Sequence, residues 1–127
     1  MTDAATGPLV LVAEDDPDIR DLMTRALRRA GYEIQAADDG TEALRLAQER
    51  PPALAVLDVT MPGMDGYELT RRLRAHPPTE AIPVILVTAR ARPEDERRGY
   101  EAGASAYVSK PFSPRELRDR VEALLTP

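Results

Sequence analysis

The order of apolar and polar positions divides the chain into short apolar runs that alternate with longer amphipathic segments. Continuous apolar runs of strand length occupy residues 9–13, 54–57 and 84–87. Continuous rather than alternating apolarity is typical of strands covered on both faces, as in a parallel sheet. Two more mixed segments, residues 33–37 and 104–108, are weaker strand candidates, and we expect them nearer the sheet edges.

Amphipathic helical patterns fill the spaces between these strands. Apolar residues recur at helical spacing from Ile19 to Ala30, with Asp16 as a candidate N-cap and Gly31 at the end. Four further helices are predicted at residues 41–50, 66–75, 93–102 and from 113 onward. The alternation of strand and helix, five times over, predicts an α/β fold with a doubly wound, five-stranded parallel sheet and helices on both faces.

Length, composition and charge restrict the class of protein. The 127 residues predict one domain at residues 9–126 behind a flexible leader at residues 1–8. The absence of cysteine excludes a disulfide framework or a thiolate metal site. We expect a cytoplasmic protein, because the sequence has no signal peptide and no apolar run near the roughly 18 residues of a membrane span. The net charge of −5 disfavours unaided binding to nucleic acid.

Polar side chains follow the predicted strands, at the edge where open α/β sheets bind ligands. Glu14 and Asp15 follow the first strand, Asp58 the third, Thr88 the fourth and Lys110 the fifth. The carboxylates would repel one another unless a cation lay between them. An oxygen-only set with few ligands and room for water suits Mg²⁺ better than Ca²⁺.

Asp58 is a candidate nucleophile toward phosphorus, since it would lie beside a metal and an ammonium group. Lys110 would hold a phosphoryl oxygen, and Thr88 would offer its hydroxyl to the same group. Lys110 is the only lysine among seventeen basic residues, and a compact ammonium reaches a narrow site that a planar guanidinium does not. Helix capping remains the alternative interpretation for Asp15 and Asp16, and an ordinary strand position remains the alternative for Thr88.

Four short motifs stand in order at the ends of these strands. They are Val-Ala-Glu-Asp-Asp at 12–16, Leu-Asp-Val-Thr-Met-Pro-Gly-Met-Asp-Gly at 57–66, Val-Thr-Ala at 87–89 and Ser-Lys-Pro-Phe at 109–112. Together they resemble the receiver domain of two-component response regulators, of the chemotaxis-regulator type. The resemblance covers about residues 8–125 and implies the flavodoxin-like (βα)5 receiver fold with strand order 2-1-3-4-5.

The resemblance implies a phosphoacceptor and a metal site. Asp58 matches the aspartate that takes a phosphoryl group from a histidine kinase, in a Mg²⁺-dependent reaction that the receiver itself catalyses. Such a domain is a signalling protein rather than an enzyme acting on a separate substrate. Asp15 matches the direct Mg²⁺ ligand, and Glu14 matches an acid that holds the metal largely through water. Asp58 also ligates the metal, and Thr60 would contribute its backbone carbonyl.

The resemblance also implies a conformational switch. Thr88 and Tyr107 match a pair in which the hydroxyl moves to the phosphoryl group while the aromatic ring turns inward. Lys110 matches the lysine that contacts the phosphoryl group, and its bond to the following proline is typically cis in the family. Thr60 and Arg90 occupy positions that tune the lifetime of the phosphoryl group. The switched surface comprises the fourth helix, fifth strand and fifth helix.

The partners implied by the resemblance are a sensor histidine kinase or phosphotransfer protein and a downstream effector protein or domain. We expect no direct contact with nucleic acid or a membrane. The chain would be a monomer or a weak dimer through the switched surface. Receivers of transcription factors that dimerise there often carry two acids before the aromatic residue. Residues 103–107 read Gly-Ala-Ser-Ala-Tyr here, which disfavours that dimer.

Two other functions use parts of the same set of residues. A Mg²⁺-dependent phosphohydrolase with an aspartyl-phosphate intermediate needs the same groups, but such enzymes usually place the nucleophile after the first strand. A flavodoxin-like cofactor binder would need a phosphate-binding loop after the first strand, where this sequence carries the acids Glu14 and Asp15. The phosphoacceptor interpretation accounts for more of the residues than either alternative.

Overall fold

The computed structural model describes residues 7–89 and 92–126. Five strands alternate with five α-helices in this part of the chain. The elements are β1 (Leu9–Ala13), α1 (Pro17–Arg29), β2 (Glu33–Ala37), α2 (Gly40–Glu49), β3 (Leu54–Asp58), α3 (Gly66–Ala75), β4 (Val84–Thr88), α4 (Pro93–Ala102), β5 (Ala106–Ser109) and α5 (Pro114–Leu125). A short 3-10 turn at Pro77–Thr79, which the sequence patterns did not predict, follows α3.

The strands form one parallel sheet in the order β2-β1-β3-β4-β5, which confirms the predicted fold and strand order. The three continuous apolar runs are the central strands, and every residue in them is buried. The two mixed segments are the edge strands, as expected. The fifth strand begins two residues later than predicted, because Ser105 lies in the preceding turn and its Oγ accepts a hydrogen bond from Val84 N at 3.1 Å.

Two hydrophobic layers cover the faces of the sheet. Alternate residues of β1 point to opposite layers, so that Leu11 packs on one side and Val12 on the other. The first layer joins the sheet to α2, α3 and α4, and the second joins it to α1 and α5. Both faces of the sheet are therefore covered, as the continuous apolarity of the central strands predicts.

Side-chain caps fix the starts of α1, α2, α3 and α5 near the C-terminal edge of the sheet. Asp16 Oδ1 accepts from the backbone N–H groups of Asp18 and Ile19, which confirms Asp16 as the N-cap of α1. Asp39 caps α2, so this helix begins at Gly40 rather than at residue 41. A Cβ at position 40 would lie 2.4 Å from the backbone oxygen of Met64, so only glycine fits there.

Residues 1–6 lie outside the described part of the chain. The flexible leader at residues 1–8 and the domain limits 9–126 therefore stay predictions, although β1 does begin at Leu9. No helix within the described ranges is long and apolar enough to cross a membrane.

Arg74 joins three segments at the edge of the sheet opposite to the strand C-termini. Its guanidinium donates to the carbonyl of Gly103 at 2.8 and 3.1 Å, to that of Ile82 at 2.6 Å and to that of Glu80 at 3.2 Å. The side chain thus ties the end of α3 to the turn before β4 and to the turn between α4 and β5. Burial lowers the pKa of Arg74 from its usual range, which reflects partial removal of the cation from water.

We expect Arg74→Ala to lower the free energy of unfolding by about 1–3 kcal/mol, because it leaves carbonyl oxygens of the turns without a donor. Urea unfolding followed by circular dichroism measures the change. Arg72→Ala in the same helix is the matched control, since Arg72 only forms an exposed ion pair with Glu68. It should change stability by less than about 0.5 kcal/mol. Equal losses for the two variants would contradict the role of Arg74.

Candidate functional site

The predicted site residues converge on the C-terminal edge of the sheet. Glu14 follows β1 directly, Asp58 is the last residue of β3, Thr88 is the last residue of β4, and Lys110 follows β5. These four strands are consecutive neighbours in the sheet, so their ends lie side by side. Lys110 N also donates to Thr88 O at 2.7 Å, which fixes the chain after β5 against the end of β4.

The ammonium group of Lys110 bridges two buried carboxylates. Its Nζ lies 2.9 Å from Glu14 Oε1 and 3.2 Å from Asp58 Oδ1. Glu14 is fully buried, Asp58 is 4% exposed, and the Lys110 side chain is 18% exposed. The single positive charge of Lys110 therefore partly compensates two carboxylates that have lost most of their contact with water. The peptide bond from Lys110 to Pro111 is cis, as the sequence resemblance implies.

Backbone and side-chain contacts hold Glu14 in place. Its Oε2 accepts from Asp16 N at 3.2 Å, and its backbone N–H donates to Ala37 O at 3.1 Å. Arg20 Nη1 donates to the backbone oxygen of Glu14 at 2.8 Å. The backbone of Glu14 is therefore held by α1 and β2, and its carboxylate is oriented by the Asp16 N–H and by Lys110.

Three carboxylates form a compact group at this edge. Glu14, Asp15 and Asp58 each offer an oxygen, and these oxygens all lie within 4.8 Å of one another. Asp15 is exposed, so the group opens to solvent on its side. With Lys110 as the counter-charge, the group keeps an excess of negative charge. Oxygen ligands in this number fit a hard divalent cation that retains some of its water, which is the preference of Mg²⁺.

The crowding of charge changes the proton affinity of Asp58. Burial and the neighbouring Glu14 carboxylate raise the pKa of Asp58 to about 6, although the charge and hydrogen bond of Lys110 oppose the change. Burial alone would lower the pKa of Lys110. The hydrogen bond to Glu14 and the charges of both carboxylates outweigh burial, so the pKa of Lys110 lies above its usual range. Lys110 therefore stays charged at neutral pH.

Close packing of α3 fixes the backbone around Asp58. Gly66 N donates to Val59 O at 2.8 Å, and a Cβ at position 66 would lie 2.5 Å from the backbone oxygen of Asp58. Only glycine lets α3 begin so close to the end of β3. Thr60 lies exposed in the intervening loop, two residues after Asp58.

Thr88 and Tyr107 are buried side chains on neighbouring strands. Thr88 is 2% exposed and Tyr107 is 6% exposed, and the two side chains share a hydrogen bond. The Tyr107 hydroxyl also lies 3.3 Å from the hydroxyl of Tyr67. Burial raises the pKa of the Tyr107 phenol above its usual range, and the hydrogen bond with Tyr67 adds to this rise. The aromatic ring of Tyr107 thus points into the protein. Arg90 lies outside the described residues.

The sequence patterns missed two residues that shape this site. Gly66 appeared as the start of a helix and as the last residue of the motif at 57–66, but its contact with the Asp58 backbone depends on how closely α3 approaches β3. Tyr67 was not singled out, although it contacts Tyr107. The composition could have drawn attention to Tyr67, because tyrosine and phenylalanine together supply only five aromatic residues and the chain has no tryptophan.

Comparisons with known proteins agree with this geometry. The family described as the response regulator receiver domain matches residues 10–122. Transcriptional regulatory protein PrrA of Mycobacterium tuberculosis is 44% identical over 125 residues, which are 98% of this chain and 53% of that protein. The chain spans about half the length of the curated relatives it matches.

Solved structures extend the comparison to the fold. The crystal structure of a putative response regulator from Chloroflexus aurantiacus J-10-fl has a TM-score of 0.91 and 38% identity, covering 96% of this chain and all of that one. The receiver domain of sensor histidine kinase PA1611 from Pseudomonas aeruginosa PAO1 has a TM-score of 0.89 and 30% identity, with the same coverage. That structure holds a magnesium ion coordinated in its active-site cleft.

We expect Asp58→Asn to stabilise the metal-free protein at pH 7 by about 1–3 kcal/mol, because it removes a buried charge from beside Glu14. Folded Asp58 keeps its proton up to about pH 6, whereas the ordinary pKa of an aspartate is 3.8. The folded state therefore binds more protons in that interval, and the stability of the wild type falls as the pH rises through it. The gain should be largest above about pH 6.

Urea unfolding between pH 4 and 8 in the presence of a chelator measures this difference. Asp21→Asn is the control, because Asp21 is an exposed carboxylate whose pKa is lowered by its hydrogen bond to Arg25. That substitution should give no gain at any pH. The interpretation of the site would be contradicted if Asp58→Asn gave no gain in the free energy of unfolding, or if the gain stayed constant down to pH 4.

Proposed function

Because this chain belongs to the response regulator receiver domain family, we propose that it accepts a phosphoryl group on Asp58 from a histidine kinase or a phosphotransfer protein. The observation that supports this most strongly is the position of Lys110, whose Nζ lies 3.2 Å from Asp58 Oδ1 and 2.9 Å from Glu14 Oε1. A buried carboxylate beside an ammonium group and two further acids has the composition of a phosphoryl-transfer site.

In the proposed reaction, a carboxylate oxygen of Asp58 attacks the phosphorus of a phosphohistidine. A new P–O bond forms while the P–N bond breaks, and the released electron pair stays on the imidazole nitrogen, which takes a proton. Lys110 remains beside Asp58 and compensates the negative charge of the transferred group. A Mg²⁺ ion held by Glu14, Asp15, Asp58 and the Thr60 carbonyl would neutralise the phosphoryl oxygens during this transfer. The protein therefore catalyses its own modification and acts as a signalling domain.

The proposed response to phosphorylation involves Thr88 and Tyr107. The Thr88 hydroxyl donates to the phosphoryl group, and the inward ring of Tyr107 accompanies the change. The result is a new conformation of the surface formed by α4, β5 and α5, which a downstream effector recognises. Thr60 and Arg90 are proposed to tune the lifetime of the phosphoryl group.

The partners of the whole protein are part of this proposal. Several relatives are named as transcriptional regulators, and this chain spans about half of their length. The expectation of no direct contact with nucleic acid therefore applies to these 127 residues alone and stays a prediction. We expect the domain to act in the cytoplasm, as a monomer or a weak dimer through the surface of α4, β5 and α5.

Incubation with acetyl phosphate tests the phosphoacceptor role directly. Intact-mass spectrometry should show one added phosphoryl group in the wild type with Mg²⁺, and none in Asp58→Asn or after chelation of the metal. Asp65→Asn is a matched control, since Asp65 caps α3 and asparagine also serves as an N-cap. Rapid turnover of diverse phosphate esters would favour the phosphohydrolase instead. The absence of both an adduct and Mg²⁺ binding would refute both functions.

Lys110→Arg tests whether a compact ammonium is required beside Asp58. We expect Mg²⁺ to bind this variant, since all three carboxylates remain, while the conformational change on α4 and β5 is lost. Backbone NMR shifts on addition of beryllofluoride and Mg²⁺ measure that change. Arg115→Lys at an exposed position is the control and should respond as the wild type does. A normal response in Lys110→Arg would show that the lone lysine has no special role.

A further inference from the structure

Tyr67 lies deep between α3, α4 and the sheet. It is the second residue of α3, is 2% exposed and belongs to the largest fully buried side chains of the described residues. The preceding residue, Gly66, is tied to the end of β3 by its hydrogen bond to Val59 O. Tyr67 is therefore anchored to the same loop that leaves Asp58.

The hydroxyl of Tyr67 connects two elements of the proposed switch. It lies 3.3 Å from the hydroxyl of Tyr107 on β5, and it donates to the backbone oxygen of Asp95 on α4, also at 3.3 Å. Both distances exceed the usual value of about 2.7–2.8 Å for an O–H···O bond, so each contact is weak and is broken by a small displacement. Contacts of this kind suit an element that must change its position.

Charge on α4 adds another contact with Tyr67. The guanidinium carbon of Arg98 lies 4.3 Å from the centre of the Tyr67 ring, within the range of a cation–π interaction. Asp95 and Arg98 thus meet the hydroxyl and the ring of Tyr67 respectively. The position of α4 is consequently linked to the position of this one side chain.

Gly99 provides space for the ring of Tyr107. The buried face of α4 consists of Asp95, Gly99 and Ala102, none of which brings a large apolar side chain. A Cβ at position 99 would lie 3.0 Å from Tyr107 Cδ1 and 3.1 Å from its Cε1. It would also lie 3.0 Å from Leu86 Cδ1, and these distances are tighter than ordinary van der Waals contact, so a side chain here would displace the Tyr107 ring, the Leu86 side chain or both.

We propose that Tyr67 is a positioning residue that holds the Tyr107 ring in its buried position and couples that ring to α4. The functional consequence of this coupling rests on the proposed function, in which a phosphoryl group on Asp58 favours the inward position of the Tyr107 ring. Coupling between two sites is reciprocal. Stabilisation of the inward ring by Tyr67 therefore strengthens the binding of a phosphoryl group or its analogue at Asp58.

Tyr67→Phe removes the hydroxyl and keeps the ring, so the core packing is retained. The first measurement uses NMR of the chain carrying ¹³C-labelled tyrosine, with no phosphoryl donor present. We expect the ring signals of Tyr107 to move toward those of an exposed tyrosine, while the methyl signals of the core stay in place. Tyr32→Phe is the matched control, because Tyr32 packs against the opposite layer beside α1 and α5.

The second measurement is the affinity for beryllofluoride at Asp58 in the presence of Mg²⁺, determined by isothermal titration. Loss of the weak hydrogen bond between Tyr67 and Tyr107 predicts a decrease of about three- to tenfold for Tyr67→Phe. The same substitution should have a clearly smaller effect in a Tyr107→Phe background, because only the contact with Asp95 O is left to lose there. A purely structural role of Tyr67 would give the same decrease in both backgrounds.

Gly99→Ala moves the ring from the other side. Alanine favours a helix more than glycine does, so this variant should fold at least as well as the wild type unless the ring resists displacement. We expect the Tyr107 signals to shift and the beryllofluoride affinity to fall, as in Tyr67→Phe. A lower affinity in a well-folded protein separates displacement of the ring from loss of the fold.

Unchanged Tyr107 signals in both Tyr67→Phe and Gly99→Ala would overturn the proposal. An equal loss of beryllofluoride affinity with and without the Tyr107 hydroxyl would overturn it as well. If the wild type fails to bind beryllofluoride through Asp58, the proposed function is wrong, while the ring signals measured without a phosphoryl donor still decide whether Tyr67 positions Tyr107.

Discussion

The ammonium group of Lys110 lies between two buried carboxylates, and the functional edge of the sheet depends on this arrangement. Glu14 and Asp58 stand at the ends of adjacent parallel strands, where their charges repel each other in a poorly hydrated setting. Lys110 reduces that repulsion without removing it, and the pKa of Asp58 remains raised. Because Asp15 adds a third acid, the edge keeps the negative charge that makes it suitable for a divalent cation.

The parallel topology explains how residues far apart in sequence form this site. Each strand brings its C-terminus to one edge, and side-chain caps hold the starts of α1, α2 and α3 close to it. Gly66 lets α3 start against the backbone of Asp58, and Gly99 leaves space beside α4 for Tyr107. The proposed chemistry at Asp58 and the surface on α4 are thus connected through the packing of α3 and β5.

Sequence patterns were sufficient for the sheet and for the acidic group. The central strands are continuous apolar runs because both faces are covered, and Asp58 and Lys110 could be assigned to one edge from topology alone. The patterns were insufficient where side chains from elements distant in the sequence meet. The contact of Tyr67 with Tyr107 depends on the approach of α3 to β5, which no local periodicity records. The strand limits near Ser105 and the start of α2 at Gly40 likewise depend on tertiary contacts.

The central claim is that Lys110 and the three carboxylates of Glu14, Asp15 and Asp58 form one phosphoryl-transfer site. A crystal structure of the protein with Mn²⁺ and beryllofluoride tests this claim most directly, because the anomalous signal of Mn²⁺ locates the cation. We predict the cation among Glu14, Asp15 and Asp58, with the beryllofluoride attached to Asp58 and in contact with Lys110 Nζ. A cation elsewhere, or an adduct on another residue, would contradict the account.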